Sequence, residues 1–125
     1  MMLAAVGLAA SLLAPCPAKP NCVSTLATDR EHGIAPIRFT TTSKEAHARL
    51  LGILRAMLRT TIVASDDHVI RAEFRTAFFR FVDDGVFVID DAAKTIHFRS
   101  ASRAGYSDFG VNRKRMEGVR TAFAR

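Results

Sequence analysis

The spacing of apolar residues changes period twice along the chain. Ala46, Leu50, Ile53, Leu54, Met57 and Leu58 recur every three to four positions, the period of a helix that buries one face. Ser43 stands where an N-cap is wanted, and Glu45 in the first turn suits the helix dipole. Lys44, Arg49, Arg55 and Arg59 fall mostly off the apolar stripe, so the pattern predicts an amphipathic helix from Ser43 to about Arg59.

From Thr60 the period becomes two. Thr61 to Ala64 reads as a short strand closed by a turn at Ser65-Asp66-Asp67. Val69 to Phe79 follows, with Ile70, Ala72 and Phe74 alternating against Arg71, Glu73 and Arg75. Arg80 to Val82 extends or bulges that strand before Asp83-Asp84-Gly85, a hairpin signal. Val86 to Ile89 and Lys94 to Ser100 complete the set, the latter with Ile96 and Phe98 inward and His97 and Arg99 outward. The helical period then returns over Val111 to Ala124, where Met116, Val119 and Phe123 mark one side. The expected fold is a single α+β domain. A four-strand antiparallel meander carries two helices on its apolar face, and its other face is dense in arginine.

The first 42 residues follow neither period. Residues 1–14 are almost wholly apolar and fewer than the ~20 a membrane span requires. They fit the apolar core of a secretory or thylakoid-type signal, although the positive stretch that normally precedes one is missing. A retained membrane anchor and an ordinary buried helix are the other readings. Residues 15–42 hold all four prolines and predict an extended arm, with at most a short edge strand within Ile34 to Thr40. Cys16 and Cys22, the two cysteines, match no zinc or redox spacing. They either close a small loop in an oxidising compartment, worth about 2 kcal/mol or less, or remain free thiols.

Composition adds one bias. A 125-residue chain with 49% hydrophobic residues can build a real core, and its net charge of +6 favours anionic partners. Nucleic acid is a poor fit, because bases are gripped by aromatics interleaved with basic residues and Tyr106 is the lone tyrosine. There is no nucleophile elbow, Ser-x-x-Lys, His-Glu-x-x-His or phosphate-binding glycine loop. The four histidines are scattered, so neither metal nor cofactor is expected.

Three segments together carry a family resemblance: the arm from Cys16 to Thr25, the turn Phe81-Val82-Asp83-Asp84, and the stretch from Arg99 to Arg115. The last reads Arg-Ser-x-Ser-Arg-x-Gly-Tyr-x-Asp-x-Gly-x-Asn-Arg-x-Arg. Over roughly residues 15 to 125 the chain resembles the domain-of-unknown-function family fourteen ninety-nine of bacteria and photosynthetic organelles. Where its members commonly carry Ser-Ser after Asn-Cys-Val, this chain has Ser24-Thr25, which removes no chemistry. The resemblance implies a compact α+β domain, often behind an export or transit signal. It brings no assigned activity and no catalytic residues.

The stretch from Arg99 to Arg115 is the candidate site. Arg99, Ser100, Ser102, Arg103, Gly105, Asn112, Arg113 and Arg115 offer hydroxyls, guanidiniums and close backbone approach beside a helix N-terminus, the elements of an anion or partner site. The competing reading is an internal ion-pair network, with Asp83, Asp84 and Asp108 as counter-ions of Arg99, Arg103 and Arg115. Three basic residues in the first helical turn oppose the dipole, so a carboxylate or a bound anion is expected there. Ser102 or Ser107 with His97 and Asp83 or Asp108 supplies the residue types of a nucleophilic triad, without any of its sequence signatures.

The expectation is a non-catalytic accessory domain over residues 15–125, with residues 1–14 as leader or anchor. It would be exported or organellar, in a bacterial envelope or periplasm or a thylakoid lumen. Its partner would be a larger membrane protein complex or an acidic protein surface, with anionic lipid as a further option. The alternative is a small anionic ligand bound at the Arg/Ser/Gly loop, and a hydrolase ranks below that.

Overall fold

The structure, a computed structural model, describes residues 8–125. Its elements in chain order are β1 (Cys22–Ser24), β2 (Ile37–Arg38), α1 (Ser43–Ala56), β3 (Thr60–Ser65), β4 (Val69–Arg75), β5 (Val82–Asp90), β6 (Thr95–Ser102) and α2 (Val111–Ala124). A short helical segment at residues 8–12 precedes them. The strands form one antiparallel sheet in the order β1-β6-β5-β4-β3, and β2 also pairs with β6.

The sheet therefore has six strands, not the four expected from periodicity. The extra two come from the arm, which lays β1 and β2 along the outer edge of β6. β2 is the short edge strand expected within Ile34 to Thr40, whereas the three residues of β1 are too few to show an alternation. The role of both strands is to pair the backbone donors and acceptors that an open edge would leave exposed. The meander β3 to β6 is as the alternation implies. Phe74, Phe87, Phe98, Ile70, Ile89 and Ile96 point to one face and pack beneath Leu50 and Leu54 of α1 and Met116 and Val119 of α2. The two helices are tied by Arg49, whose Nε donates to the Phe123 carbonyl at 2.8 Å while its guanidinium lies over the Phe123 ring.

Two boundaries differ for identifiable reasons. α1 is capped by Thr42, whose Oγ1 accepts from the Glu45 N–H, and it ends at Ala56 because Met57 is extended and Arg59 is left-handed (φ 53°). The larger correction concerns Asp83-Asp84-Gly85, which lies inside β5 and not in a hairpin. Glycine is needed there for room: a Cβ on Gly85 would lie 2.7 Å from the Phe74 ring. The connection falls instead at residues 76–81, closed by the Thr76 N–H to the Phe81 carbonyl and the Phe81 N–H to Thr76 Oγ1.

The opposite face carries Arg71, Glu73, His97 and Arg99, and also a small apolar cluster. Ala9 and Leu13 pack on Val88, with Leu12, Leu26 and Val86 alongside. The second half of the apolar segment thus lies against the sheet, while residues 1–7 of the expected leader or anchor fall outside the described residues. Among the described residues, no helix is long and apolar enough to cross a membrane. Cys16 and Cys22 are joined by a disulfide that holds the arm's start against β1.

Candidate functional site

The Arg99–Arg115 stretch runs from the end of β6 through the loop 103–110 into α2, and its centre is Asn112. This side chain is fully buried on the first turn of α2, above the inward face of β6. Its Oδ1 accepts from Ser100 Oγ at 2.6 Å and from Arg115 Nη1 at 3.2 Å. Its Nδ2 donates to Asp108 at 2.8 Å, with Ser102 Oγ at 3.3 Å and the Asn21 carbonyl at 3.4 Å. A buried amide left without partners would cost about 1–3 kcal/mol, and here nearly every capacity is met from within the fold.

The two adjacent aspartates of β5 serve opposite faces, as strand geometry requires. Asp83 points inward and is almost wholly buried. Arg115 Nη1 lies 2.9 Å from its carboxylate, off the direction of a hydrogen bond, so the pair is held as an ion pair. The same guanidinium sits 4.6 Å above the Phe74 ring. Asp84 points outward, where Arg103 bridges it at 2.6 Å and Glu73 at 2.9 Å. Those two carboxylates, Asp84 foremost, raise the Arg103 pKa above its ordinary value. Arg103 also starts the loop from a fixed point, because its N–H donates to the Val82 carbonyl.

Asp108 departs from expectation: no arginine pairs with it among the described residues. Its carboxylate accepts from the N–H groups of Gly110 (2.8 Å) and Asn112 (3.1 Å), so it caps α2. This is the negative charge that the basic first turn of α2 calls for. Arg113 turns to the arm, donating to the carbonyls of Gly33 at 2.7 Å and Glu31 at 3.1 Å. Arg99 is not paired as expected either. It lies on the outward face, where burial lowers its pKa, and its Nη2 reaches the Pro15 carbonyl at 3.4 Å. Gly105 takes the left-handed conformation (φ 91°) that the loop needs, and its carbonyl accepts from Asn21 Nδ2.

The triad residue types are not brought together. His97 and Ser102 project from opposite faces of β6, and the His97 ring bonds Thr25 Oγ1 at 3.0 Å. Burial lowers the His97 pKa. Ser107 accepts from the Phe109 N–H and shapes the turn.

Residues 12–123 match the family described as "Protein of unknown function (DUF1499)". The chain belongs to this family. No curated protein and no solved structure matches it.

In this DUF1499 chain two further clusters escape a sequence reading. Asp29, Glu31 and His32 bring their side chains within 4.8 Å of one another. Both His32 nitrogens are already engaged: Nδ1 with Asp29 at 2.7 Å and Nε2 with the Lys19 carbonyl at 2.8 Å. Both partners are acceptors, so the imidazolium form fits best, and the carbonyl of Lys19 and then Asp29 raise the His32 pKa against a desolvation that lowers it. The cluster ties the disulfide loop to the following turn. The other cluster is the aromatic tip of the β4–β5 connection, where Phe78, Phe79 and Phe81 are exposed. The broken alternation of Ala77-Phe78-Phe79-Arg80-Phe81 is the signal that separates it from the strand.

Proposed function

We propose that this protein is a non-catalytic accessory domain of an exported or organellar compartment, peripheral to a larger membrane protein complex. A photosynthetic complex on the lumen side of a thylakoid is one such setting. The observation that carries this reading is the inward engagement of the Arg99–Arg115 stretch. Ser100, Ser102, Asn112 and Asp108 bond one another, and Arg103 and Arg115 face carboxylates. A stretch so arranged braces a surface and leaves no nucleophile beside a base. The Cys16–Cys22 disulfide supports an oxidising compartment.

A small anionic ligand at Arg103 or Arg115 would have to displace Asp84 or Asp83 from the guanidiniums they already hold, which makes that alternative the weaker one. The test is affinity purification from native membranes followed by mass spectrometry. The accessory reading expects a membrane protein complex to co-purify. A freely soluble monomer without partners would count against it.

A further inference from the structure

Among the described residues, most of the large apolar side chains left exposed are gathered at one end, with Leu8 and Val63 away from it. β3 and β5 begin there and β4 and β6 end there, because Thr60 pairs with Phe74 and Asp83 pairs with both Phe74 and Ser102. The connections 57–59, 76–81 and 103–110 therefore emerge side by side. They carry Leu58 (79% exposed), Phe78 (92%), Phe79 (76%), Phe81 (56%), Tyr106 (68%) and Phe109 (94%). At the opposite end the turns carry Asp66, Asp67 and Asp91. Lys94 pairs with Asp91 in its turn and Lys44 lies beside Asp67, so the aromatic character is what sets the first end apart.

The 76–81 tip is built to leave water. Its rings lean on one another, with Phe79 and Phe81 centroids 5.5 Å apart and Phe78 and Phe79 6.4 Å apart. Its neck satisfies its own polar groups: Thr76 and Phe81 bond each other, and Arg75 Nη1 donates to the Arg80 carbonyl. Backbone groups closed in this way lower the cost of entering an apolar medium. Behind the rings lies an open crevice of about 280 Å³ whose lining includes Arg59, Arg75 and Arg80. Glu73, the acid in that lining, is already bonded to Arg103.

We propose that this end is an insertion surface for an anionic bilayer. Phe78, Phe79 and Phe81 enter the headgroup–acyl boundary, and Arg59, Arg75 and Arg80 take lipid phosphates. The order of groups argues for lipid over an acidic protein. Rings project in front and cations stand behind, as hydrocarbon lies beneath phosphate in a leaflet, whereas a protein groove would cover rings and cations together. Orientation follows from the rings together with Arg59, Arg75 and Arg80, which draw this end toward an anionic surface. The bracing of the loop by Asn112 and Asp108 then gains a purpose, since it fixes Tyr106 and Phe109 beside the tip. The inference rests on the reading of the protein as membrane-peripheral, and it names the lipid as a direct partner.

The chain contains no tryptophan, so Phe79→Trp supplies a single fluorescent reporter at the tip. With vesicles of equal parts phosphatidylcholine and phosphatidylglycerol, its emission should shift to the blue, and the wild type should co-sediment with them. Pure phosphatidylcholine should give little of either. Phe78→Ser combined with Phe79→Ser should lower partitioning about tenfold or more. Arg59→Gln and Arg80→Gln should each lower it about fivefold and weaken its salt dependence. These side chains are exposed, so melting temperatures should stay close to wild type. Wild type that ignores the anionic vesicles yet is retained on native membranes until protease treatment would assign the tip to an acidic protein. That result overturns the lipid inference while sparing the accessory reading. Vesicle binding that survives the tip variants would overturn it too. Vesicle binding lost in the tip variants, with no complex recovered from native membranes, would support the lipid inference and count against the accessory reading.

Discussion

At the scale of single residues, Asp83 shows how a surface-looking signal becomes an interior one. Asp-Asp-Gly ordinarily marks a hairpin because aspartate seeks water and glycine tolerates positive φ. Here Arg115 neutralises Asp83 from the far end of the chain, and Gly85 serves the Phe74 ring. Removing one member of a buried pair leaves the other charge uncompensated. Asp83→Asn should therefore lower unfolding free energy by about 3 kcal/mol in denaturant titrations, with little change in the slope. Gly85→Ala should cost about 1–3 kcal/mol, because the Phe74 ring must move beneath the Arg115 guanidinium.

At the scale of elements, the parts legible in sequence were those whose pattern is local. The bounds of α2 and the inward sets of β4 and β6 follow from period alone. β1 does not, since three residues carry no period, and although β2 falls in the stretch expected to hold a short edge strand, its pairing with β6 lies far along the chain. The aromatic tip was hidden for another reason. Phe78 and Phe79 look like the continuation of a buried strand until it is seen that the strand stops at Arg75. Within the candidate site, the residue types and the Asp84–Arg103 kind of pairing were legible, but the capping role of Asp108 and the central place of Asn112 were not. Both depend on which face of β6 the helix covers.

The arm makes its own prediction. His32 is covered yet shallow, and its imidazolium donates both to Asp29 and to the Lys19 carbonyl. Its pKa is raised in the fold, so its contribution is fully present below the unfolded value of about 6.5. That contribution is lost as pH climbs through the elevated folded value. Stability of the wild type should fall across that window, whereas His32→Gln should be nearly flat there. Equal slopes in denaturant melts of the two proteins would remove His32 as the tether.

At the scale of the whole molecule, one end is organised by the Arg99–Arg115 stretch. The disulfide loop, β1, the ends of β5 and β6 and the start of α2 all converge on Asn21 and Asn112. Breaking Cys16–Cys22 with reductant should cost about 2 kcal/mol, a cost modest because the closed loop is short. Melting should remain cooperative, since the core beneath α1 and α2 does not include the cysteines. The family match makes the chain a DUF1499 domain and leaves the purpose of this arrangement to be argued from the groups themselves. Those groups face one another.

The central claim is that the stretch is a brace and not a site, and Asn112→Ala tests it most directly. Alanine would leave Ser100, Ser102 and Arg115 without a shared partner inside the fold. The account predicts a loss of about 3 kcal/mol, read in thermal denaturation as a fall of about 10 °C. A melting temperature equal to wild type, together with loss of the co-purifying membrane complex, would contradict it and make the loop a binding site.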